Sequence, residues 1–197
     1  MDLIIIAGMP AAGKTTVAKK LGAAFGYPVF EKDEIKEDLF DHIGYQDRPQ
    51  KGKLDAAATA SVLRMTEAVL QSGHSLILVN NFPARMAPTV QELVDRCGCR
   101  CVTVFLGGDS DVFYQRYVER DQNHARHAGH SFLLRYPPQP GDDLNRKMTR
   151  QDFYNIFEAQ GMAEFCINGP RIQVDATHPE KVDVQQLEQQ IRAALKE

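Results

Sequence analysis

The sequence predicts an α/β domain built on a parallel β-sheet, and three observations support this prediction. The chain has 197 residues, a length that suits one α/β domain with a sizeable core and is short for two. Short apolar segments alternate with helical segments, as in a parallel sheet with helices on both faces. The first apolar segment leads directly into a glycine-containing loop and a helix. Because ligands of such sheets bind at the carboxyl ends of the strands, the residues after each strand are the first candidates for a functional site.

Five strands and four clear helices are predicted. The strands are residues 3–7, 28–30, 75–79, 101–106 and 171–174, and the helices are residues 15–25, 55–71, 88–96 and 182–195. Asp55 is a candidate N-cap of the second helix, and Gly73 lies just past its end. Two stretches between these elements are irregular. Residues 44–53 favour a solvated linker over a substrate-facing loop, and the proline-rich residues 130–143 are predicted to form a mobile loop.

Composition excludes several classes of protein. The net charge of −3, with 43% hydrophobic and 25% charged residues, describes an ordinary soluble protein without global attraction to nucleic acid or anionic membranes. Any anion site must therefore be local. No apolar run approaches the ~18 residues of a membrane span, and no signal pattern precedes the first strand, which predicts a cytoplasmic protein without a membrane partner. The spacing of the cysteines fits neither zinc pairs nor a disulfide framework and predicts reduced thiols. They are Cys97, Cys99, Cys101 and Cys166.

A phosphate-binding loop follows the first predicted strand. The pattern G-x-x-x-x-G-K-[ST] is matched by Gly8, Met9, Pro10, Ala11, Ala12, Gly13, Lys14 and Thr15. Backbone N–H groups of this loop and of the helix that continues through Thr16 converge on one anion, which we expect to be the triphosphate of a nucleotide. The two glycines allow a close approach to the phosphates, Lys14 reaches the β and γ oxygens, and the Thr15 hydroxyl ligates Mg²⁺. The predicted cofactors are a nucleoside triphosphate and Mg²⁺.

Asp33 and Lys36 follow the second predicted strand. Asp33 lies at the carboxyl end of that strand, and Lys36 lies one helical turn later on the same side. In phosphoryl transfer to an alcohol, a carboxylate there can accept the proton or orient the hydroxyl, while a nearby cation holds an anionic acceptor. A helix N-cap with a charged first turn explains the same residues equally well.

Together these motifs resemble the P-loop kinases that include polynucleotide 5'-kinases, chloramphenicol phosphotransferase, zeta toxins and small bacterial proteins called AAA family ATPases. The resemblance spans nearly the whole chain and extends to the stretch Arg116-x3-Arg120-x5-Arg126-His127-Ala128-Gly129-His130. It implies a P-loop NTPase fold of the nucleoside-kinase type, a three-layer sandwich with a five-stranded parallel sheet and a helical lid. It also implies one domain over residues 1–197 with a lid at about 116–150, and Asp33 as the catalytic base.

The charge of the predicted lid supports a role at the phosphates. Residues 116–150 contain seven Lys or Arg and four acidic residues, the opposite sign to the whole chain. Arg116 and Arg120 are four residues apart, so on a helix they share a face, where they are predicted to bind ATP and clamp the transferring phosphoryl group. The alternative is a solvated helix with Glu119 and Asp121 as local partners. Arg126 is a candidate substrate-binding residue of the same region.

Three histidines and the end of the fifth strand are further candidates. His124, His127 and His130 recur every third residue, but Gly129 interrupts a helical face, so a metal site is disfavoured. The fifth strand closes with residues 174–177, which resemble a Val-Asp-Thr-Thr pattern beside the adenine in similar sequences. Turn chemistry explains those residues equally well.

One departure from the family pattern concerns the third strand. Related proteins read Ile-Leu-Glu-Ala-Asn-Phe at its end, whereas this chain has Val79 at the acidic position. Since a Walker-B carboxylate normally helps to hold Mg²⁺, the ion is expected to depend on Thr15, Asp33 and ATP itself. Asn81, with its neighbour Asn80, is predicted to orient a metal-bound water or the acceptor, with turn capping as the alternative.

Arg85 adds a cation at the predicted mouth of the pocket, as a substrate-binding candidate. The leading hypothesis is a kinase that transfers the γ-phosphoryl group of ATP to a hydroxyl of a small molecule. A polynucleotide or nucleoside 5'-hydroxyl kinase is an alternative, although the net charge of −3 disfavours a nucleic-acid partner. A non-catalytic ATP-binding switch is a further alternative, suggested by Val79.

Overall fold

A five-stranded parallel sheet forms the centre of the protein, in the strand order β2-β3-β1-β4-β5. The computed structural model describes residues 1–123, 126–143 and 146–196. The strands are β1 (Asp2–Gly8), β2 (Val29–Glu31), β3 (Leu76–Val79), β4 (Arg100–Gly107) and β5 (Arg171–Asp175). The helices are α1 (Lys14–Phe25), α2 (Lys32–Ile43), α3 (Arg48–Gln71), α4 (Ala87–Cys97), α5 (Ser110–Gln122), α6 (Arg150–Ile156) and α7 (Val184–Ala194).

The apolar first segment of the sequence becomes the central strand. Every residue of β1 is buried, and Ile4 pairs with Ile77 of β3 on one side and Val102 of β4 on the other. A strand that is apolar at consecutive positions is covered on both faces, as parallel sheets require. The predicted five-stranded parallel sheet is therefore confirmed, and its carboxyl edge carries the loops that follow β1, β2 and β3.

The prediction of a linker at residues 44–53 is wrong for most of this stretch, which is helical from Arg48 onward. The long helix α3 begins at Arg48, because the Asp47 side chain caps it by accepting a hydrogen bond from the Gln50 backbone N–H at 2.7 Å. Pro49 in the first turn fits this start, since a proline there removes no helical hydrogen bond. Asp55 consequently lies inside the helix rather than at its N-cap.

The region predicted as a lid is mostly irregular. After α5 its described part holds a short 3-10 helix, Ala128–His130. Residues 127–136, here called the docked segment, pack on α2. Gly129 lies so close to Phe40 that a Cβ on it would approach the ring to 2.3 Å, and Tyr136 forms an antiparallel bridge with Tyr45. This contact makes the docked segment one wall of the cleft described below.

The four cysteines differ sharply in exposure. Cys99 and Cys101 are buried and Cys97 is partly buried, whereas Cys166 is exposed. Burial raises the pKa of Cys99 to about 11 and raises that of Cys101 further. None of the described helices combines the length and apolarity that a membrane crossing requires.

Candidate functional site

The phosphate-binding loop connects the end of β1 to the start of α1. Gly8 has a φ of 143°, and a Cβ there would lie 2.2 Å from the carbonyl oxygen of Leu106, so only glycine fits. Gly13 precedes α1 in a left-handed conformation and provides no side-chain cap. The first N–H groups of α1 therefore stay available for an anion, and the helix dipole favours one there.

Lys14 folds back over its own loop. Its ammonium group donates to the carbonyl oxygens of Gly8 at 3.1 Å and Met9 at 2.7 Å. Burial lowers the pKa of Lys14 to about 7, although the Asp33 carboxylate opposes the shift. Two carbonyls compensate a buried ammonium only partly, and the oxygens of a phosphate would do so more fully.

A carboxylate reaches the loop from the neighbouring strand β2. Glu31 is 8% exposed, and its Oε2 accepts a hydrogen bond from the Thr15 hydroxyl at 2.7 Å. Its other oxygen, Oε1, is buried without a hydrogen-bond partner, and burial raises the pKa of the group. Glu31 pairs in register with Val79. The acid that is absent from the end of β3 is thus present one strand further along the sheet.

The position of Glu31 suits a magnesium ion. Mg²⁺ prefers hard oxygen ligands and keeps several waters, and a hydroxyl next to a carboxylate with an unsatisfied buried oxygen offers such a site. Sequence reasoning missed this residue. The available signal was an acid at the end of the second strand, two residues before Asp33, where only Asp33 received a role.

Asp33 lies in the first turn of α2 with a half-exposed side chain. Its Oδ1 is 3.3 Å from the Lys32 ammonium. Burial opposes its ionisation, but Lys32, His130 and Lys36 together hold the pKa of the Asp33 carboxyl well below its usual range. Asp33 and Lys14 are close enough that the carboxylate raises the pKa of the lysine. The loop and this carboxylate therefore face one cleft.

Lys36 shares a carboxylate with Lys32. Both ammonium groups donate to Asp55 Oδ1, from 2.5 Å for Lys36 and 2.8 Å for Lys32. Burial would raise the pKa of Asp55, but the two lysines lower it to about 2. The early start of α3 produces this arrangement, because it turns Asp55 toward α2.

The structure separates the two arginines that were predicted to form one clamp. Arg116 donates to the carbonyl oxygens of Ala176 and Thr177, in the loop after β5. Arg120 instead lies near enough to Lys14 to lower its pKa. Backbone acceptors hold the head of Arg116, and the joint clamp of the two arginines on the phosphoryl group stays a prediction.

The remaining predicted substrate-binding residues lie in different places. Arg126 stacks on the Tyr117 ring, 4.8 Å from its centroid, and lowers the pKa of Asp33, so it faces the cleft. Arg85 donates to Gln160 Oε1 at 2.6 Å, and no contact between described residues joins it to Asp33. The Asn81 backbone N–H donates to Asn80 Oδ1 at 2.8 Å, so the side chain that caps this turn belongs to Asn80, and the role of the Asn81 side chain stays a prediction.

Comparisons with known proteins agree with this geometry. The sequence pattern of the AAA domain family designated AAA_33 matches residues 3–134. The chain belongs to this family. No curated protein sequence matches the chain significantly.

Solved structures share the fold of this AAA domain over nearly its whole length. A candidate kinase from Chloroflexus aurantiacus J-10-fl is 26% identical, with a TM-score of 0.79, and the match covers 99% of this chain and 96% of the other. Chaetomium thermophilum Kti12, solved with ADP-AlF3, is 16% identical at a TM-score of 0.60, with 98% of each chain covered. A gluconokinase from Sinorhizobium meliloti 1021 is 15% identical at 0.57, with 99% and 91% covered. The protein is thus P-loop kinase-like, and this fold implies nucleotide binding.

Two histidines fix the docked segment of the AAA domain onto α2. His127 Nε2 lies 2.9 Å from Asp41 Oδ1, and His130 Nε2 lies 2.9 Å from Glu37 Oε1. His124, the first of the three predicted histidines, lies outside the described residues. Within residues 1–123, 126–143 and 146–196, no three metal-ligating side chains are grouped as a metal site would require.

Lys51 is a second residue that sequence reasoning missed. It lies in the first turn of α3, and its ammonium donates to the carbonyl oxygen of Ser131 at 3.0 Å. Its pKa is lowered to about 7, mainly by burial and then by the charges of Lys36 and Arg126. The interpretation of residues 44–53 as a linker gave Lys51 no role, because a solvated lysine in a linker makes no specific contact.

Proposed function

We propose that this protein is a Mg²⁺-dependent kinase that transfers the γ-phosphoryl group of ATP to a hydroxyl of a small molecule. The observation that carries the proposal is that the end of β2 meets the phosphate-binding loop, through the 2.7 Å bond from Thr15 to Glu31, and places Asp33 in the next helical turn. A loop that binds phosphates and an ionised carboxylate beside it are the two parts that phosphoryl transfer to an alcohol requires. The kinase-like fold of the family supports the same reaction class.

In this proposal, the loop and Lys14 bind the nucleotide. The backbone N–H groups that begin α1 hold the phosphates, and Lys14 exchanges the Gly8 and Met9 carbonyls for β and γ oxygens. Arg120 approaches from α5 and balances charge on the transferring group. Arg116, bound to the Ala176 and Thr177 carbonyls, stabilises the loop where the base is expected to pack.

Thr15 and Glu31 would hold the metal ion. The ion neutralises charge on the phosphate oxygens when it is bound. Glu31 contributes a fixed anion at that position, and its partnerless Oε1 has an acceptor site free for a metal-bound water.

Asp33 orients the acceptor hydroxyl and receives its proton. Its carboxylate stays ionised because the charged Lys32 and Lys36 lie near it, so it can accept a hydrogen bond from the alcohol at any physiological pH. As the alcohol oxygen bonds to the γ-phosphorus and the bond to ADP breaks, the proton passes to Asp33. A carboxylate with such a low pKa is a weak base, which suits a loose transition state that needs orientation more than early deprotonation.

The two alternative functions have less support. A non-catalytic switch was suggested by Val79, and Glu31 on the adjacent strand removes that reason by placing a carboxylate beside Thr15. A 5'-hydroxyl kinase of nucleic acid was suggested by Lys36, whose ammonium instead pairs with Asp55 at 2.5 Å. We retain the nucleic-acid kinase only as a further arm of the experiment below.

The test incubates wild type, Asp33→Asn and Asp38→Asn with Mg-ATP and pools of alcohols, sugars, nucleosides, antibiotics and 5'-hydroxyl oligonucleotides, and detects phosphorylated products by mass. Asp38 is the matched control, since it is an exposed aspartate on the same helix. We expect a product whose rate falls roughly 10²- to 10⁴-fold in Asp33→Asn and is unchanged in Asp38→Asn. Absence of any product, or equal rates in the two variants, would contradict the proposal.

A further inference from the structure

Positive charge is concentrated on one side of the cleft, between α2 and the start of α3. The ammonium groups of Lys36 and Lys51 lie 5.5 Å and 5.8 Å from the centroid of the same Phe40 ring. Lys51 also lies 5.0 Å from the Tyr45 ring. Two ammonium groups beside one aromatic ring repel each other, and the Asp55 carboxylate bonds only to Lys36 of this pair.

Lys51 has no acidic partner among the described residues. Its hydrogen bond goes to the neutral carbonyl of Ser131, and no ion pair of the described chain includes it. By contrast, Lys32 and Lys36 both pair with Asp55. The pKa of Lys51 is lowered to about 7 mainly by burial and then by Lys36 and Arg126, which is the expected result for a buried cation without a counter-ion.

Arg126 extends the same charge toward the reaction centre. Its guanidinium stacks on Tyr117 and forms no ion pair with a described acidic residue. Lys36 and Arg126 each lower the pKa of both Asp33 and Lys51. Both cations therefore lie near the carboxylate that faces the hydroxyl and near the unpaired ammonium of Lys51.

We infer that the acceptor alcohol carries an anionic group, a carboxylate or a phosphate, which binds to Lys51 together with Arg126. This inference rests on the proposed kinase function. A molecule with its hydroxyl at Asp33 and its anion at Lys51 satisfies the cations that the folded chain leaves unpaired, while a neutral alcohol leaves them uncompensated. The docked segment borders the subsite on one side, because the carbonyl of Ser131 accepts a hydrogen bond from Lys51 and that of Gly129 accepts one from Tyr45.

The first arm of the test measures transfer. Wild type, Lys51→Met and Lys53→Met are supplied with Mg-ATP and three separate pools of alcohols, which carry a carboxylate, a phosphate or no charge. Methionine keeps the length of the side chain on the aromatic rings, and Lys53 is the matched control, an exposed lysine of the same helix. We expect products from a charged pool, with a KM raised roughly 10- to 100-fold in Lys51→Met and unchanged in Lys53→Met. Products from the neutral pool alone, or equal KM values in the two variants, would overturn the inference and leave the proposed function standing.

The second arm measures binding without catalysis. The protein is saturated with Mg²⁺ and the non-hydrolysable analogue AMP-PNP, which fills the phosphate loop, and is titrated calorimetrically with inorganic phosphate and, separately, with acetate. We expect one of the two anions to bind wild type and Lys53→Met roughly tenfold or more tightly than Lys51→Met. If neither anion distinguishes the variants, the subsite is refuted. Lys51-dependent binding without transfer to any pool would support the subsite and contradict the kinase.

Discussion

Lys14 illustrates how a single residue prepares the site for its ligand. The buried ammonium bonds to two carbonyls of its own loop, and its pKa falls to about 7. The residue is thus divided between its charged and neutral forms near neutral pH. Contact with phosphate oxygens favours the charged form, so proton binding and nucleotide binding are coupled.

We expect ATP binding to take up a proton. Free Lys14 has a pKa of about 7 and bound Lys14 a higher one, so above pH 7 the neutral form must be protonated on binding, and the contribution of Lys14 to affinity declines as the pH rises. Calorimetry at pH 7.5 in buffers of different ionisation enthalpy measures the uptake, and Lys14→Met is the comparison. Equal uptake in both proteins would contradict the prediction.

Glu31 allows a second prediction about a single residue. In Glu31→Gln the Mg²⁺ dependence of nucleotide binding should weaken roughly 10- to 100-fold, because a group that positions the ion is lost. Glu34→Gln, at an exposed position in α2, should leave it unchanged. Titration of nucleotide affinity against Mg²⁺ measures both, and equal behaviour of the two variants would exclude Glu31 from the metal site.

The converse substitution Val79→Glu should destabilise the fold by about 1–3 kcal/mol, since it buries a second carboxylate beside Glu31 across a strand pair. The free energy of unfolding in urea measures the effect. The double variant Glu31→Val, Val79→Glu removes the repulsion and should recover stability. A double variant no more stable than Val79→Glu alone would contradict this explanation.

At the scale of elements, the sequence determined β1, the loop and α1 to within about one residue, because a continuous apolar run and a fixed motif leave little freedom. The first two turns of α3 were missed because Pro49 and Gly52 look like helix breakers, while the Asp47 cap acts through a side chain. The separation of Arg116 from Arg120 was not predictable either. Spacing gives a common face, but the carbonyl oxygens that bind the Arg116 side chain come from the loop after β5, which is distant in sequence.

Docking of residues 127–136 on α2 requires a glycine at position 129, because there is no room for a side chain there. Gly129→Ala would drive a Cβ into the Phe40 ring, so it should lower the free energy of unfolding by about 1–3 kcal/mol and speed hydrogen exchange in the docked segment. Gly52→Ala is the matched control, because an added Cβ meets nothing within 4 Å in a helix interior, and it should stabilise by about 0.5–1 kcal/mol. Slower or unchanged exchange in Gly129→Ala would argue against the tight contact.

The same docking should weaken in acid. Burial lowers the pKa of His130, despite its hydrogen bond to Glu37 and the Asp33 charge, and Arg126 and Lys36 lower it further. A histidine whose folded pKa is below its unfolded pKa of about 6.5 disfavours the folded form once it is protonated, so docking is lost as the pH falls from 7 to 5. Hydrogen-exchange rates of residues 127–136 at pH 7 and pH 5 measure the effect. His74→Gln, which replaces an exposed histidine, is the control variant. Stronger protection at pH 5 would refute it.

At the scale of the whole molecule, a chain of net charge −3 concentrates cations around one cleft. The sheet order β2-β3-β1-β4-β5 makes this possible, because it brings the ends of β1, β2 and β3 to a single edge, from which α2 and α3 carry lysines to the same point. The fold class was predictable from the sequence, since it depends on periodicity and on one motif. The positions of Glu31 and Lys51 in the cleft depend on strand order and on a helix start, which single-sequence patterns do not determine.

Nucleotide binding should stabilise the entire domain. At a Mg-ATP concentration about 100 times its Kd, the free energy of unfolding rises by about 2.7 kcal/mol, which for a chain of this size corresponds to a Tm increase of about 5–10 °C. Lys14→Met should show a smaller increase. Differential scanning calorimetry measures both, and equal shifts would mean that the nucleotide binds elsewhere.

The uneven burial of the cysteines has a practical consequence. Cys166 is exposed, while burial raises the pKa of the other three thiols, so a maleimide dye at neutral pH should label this one position of the natural chain. The adjacent Phe165 stacks on Phe82 at 4.9 Å, and Phe82 holds a φ of 54° directly after Asn81. A fluorophore at Cys166 therefore borders the turn that ends β3, where its emission can report the arrival of an acceptor without any engineered cysteine.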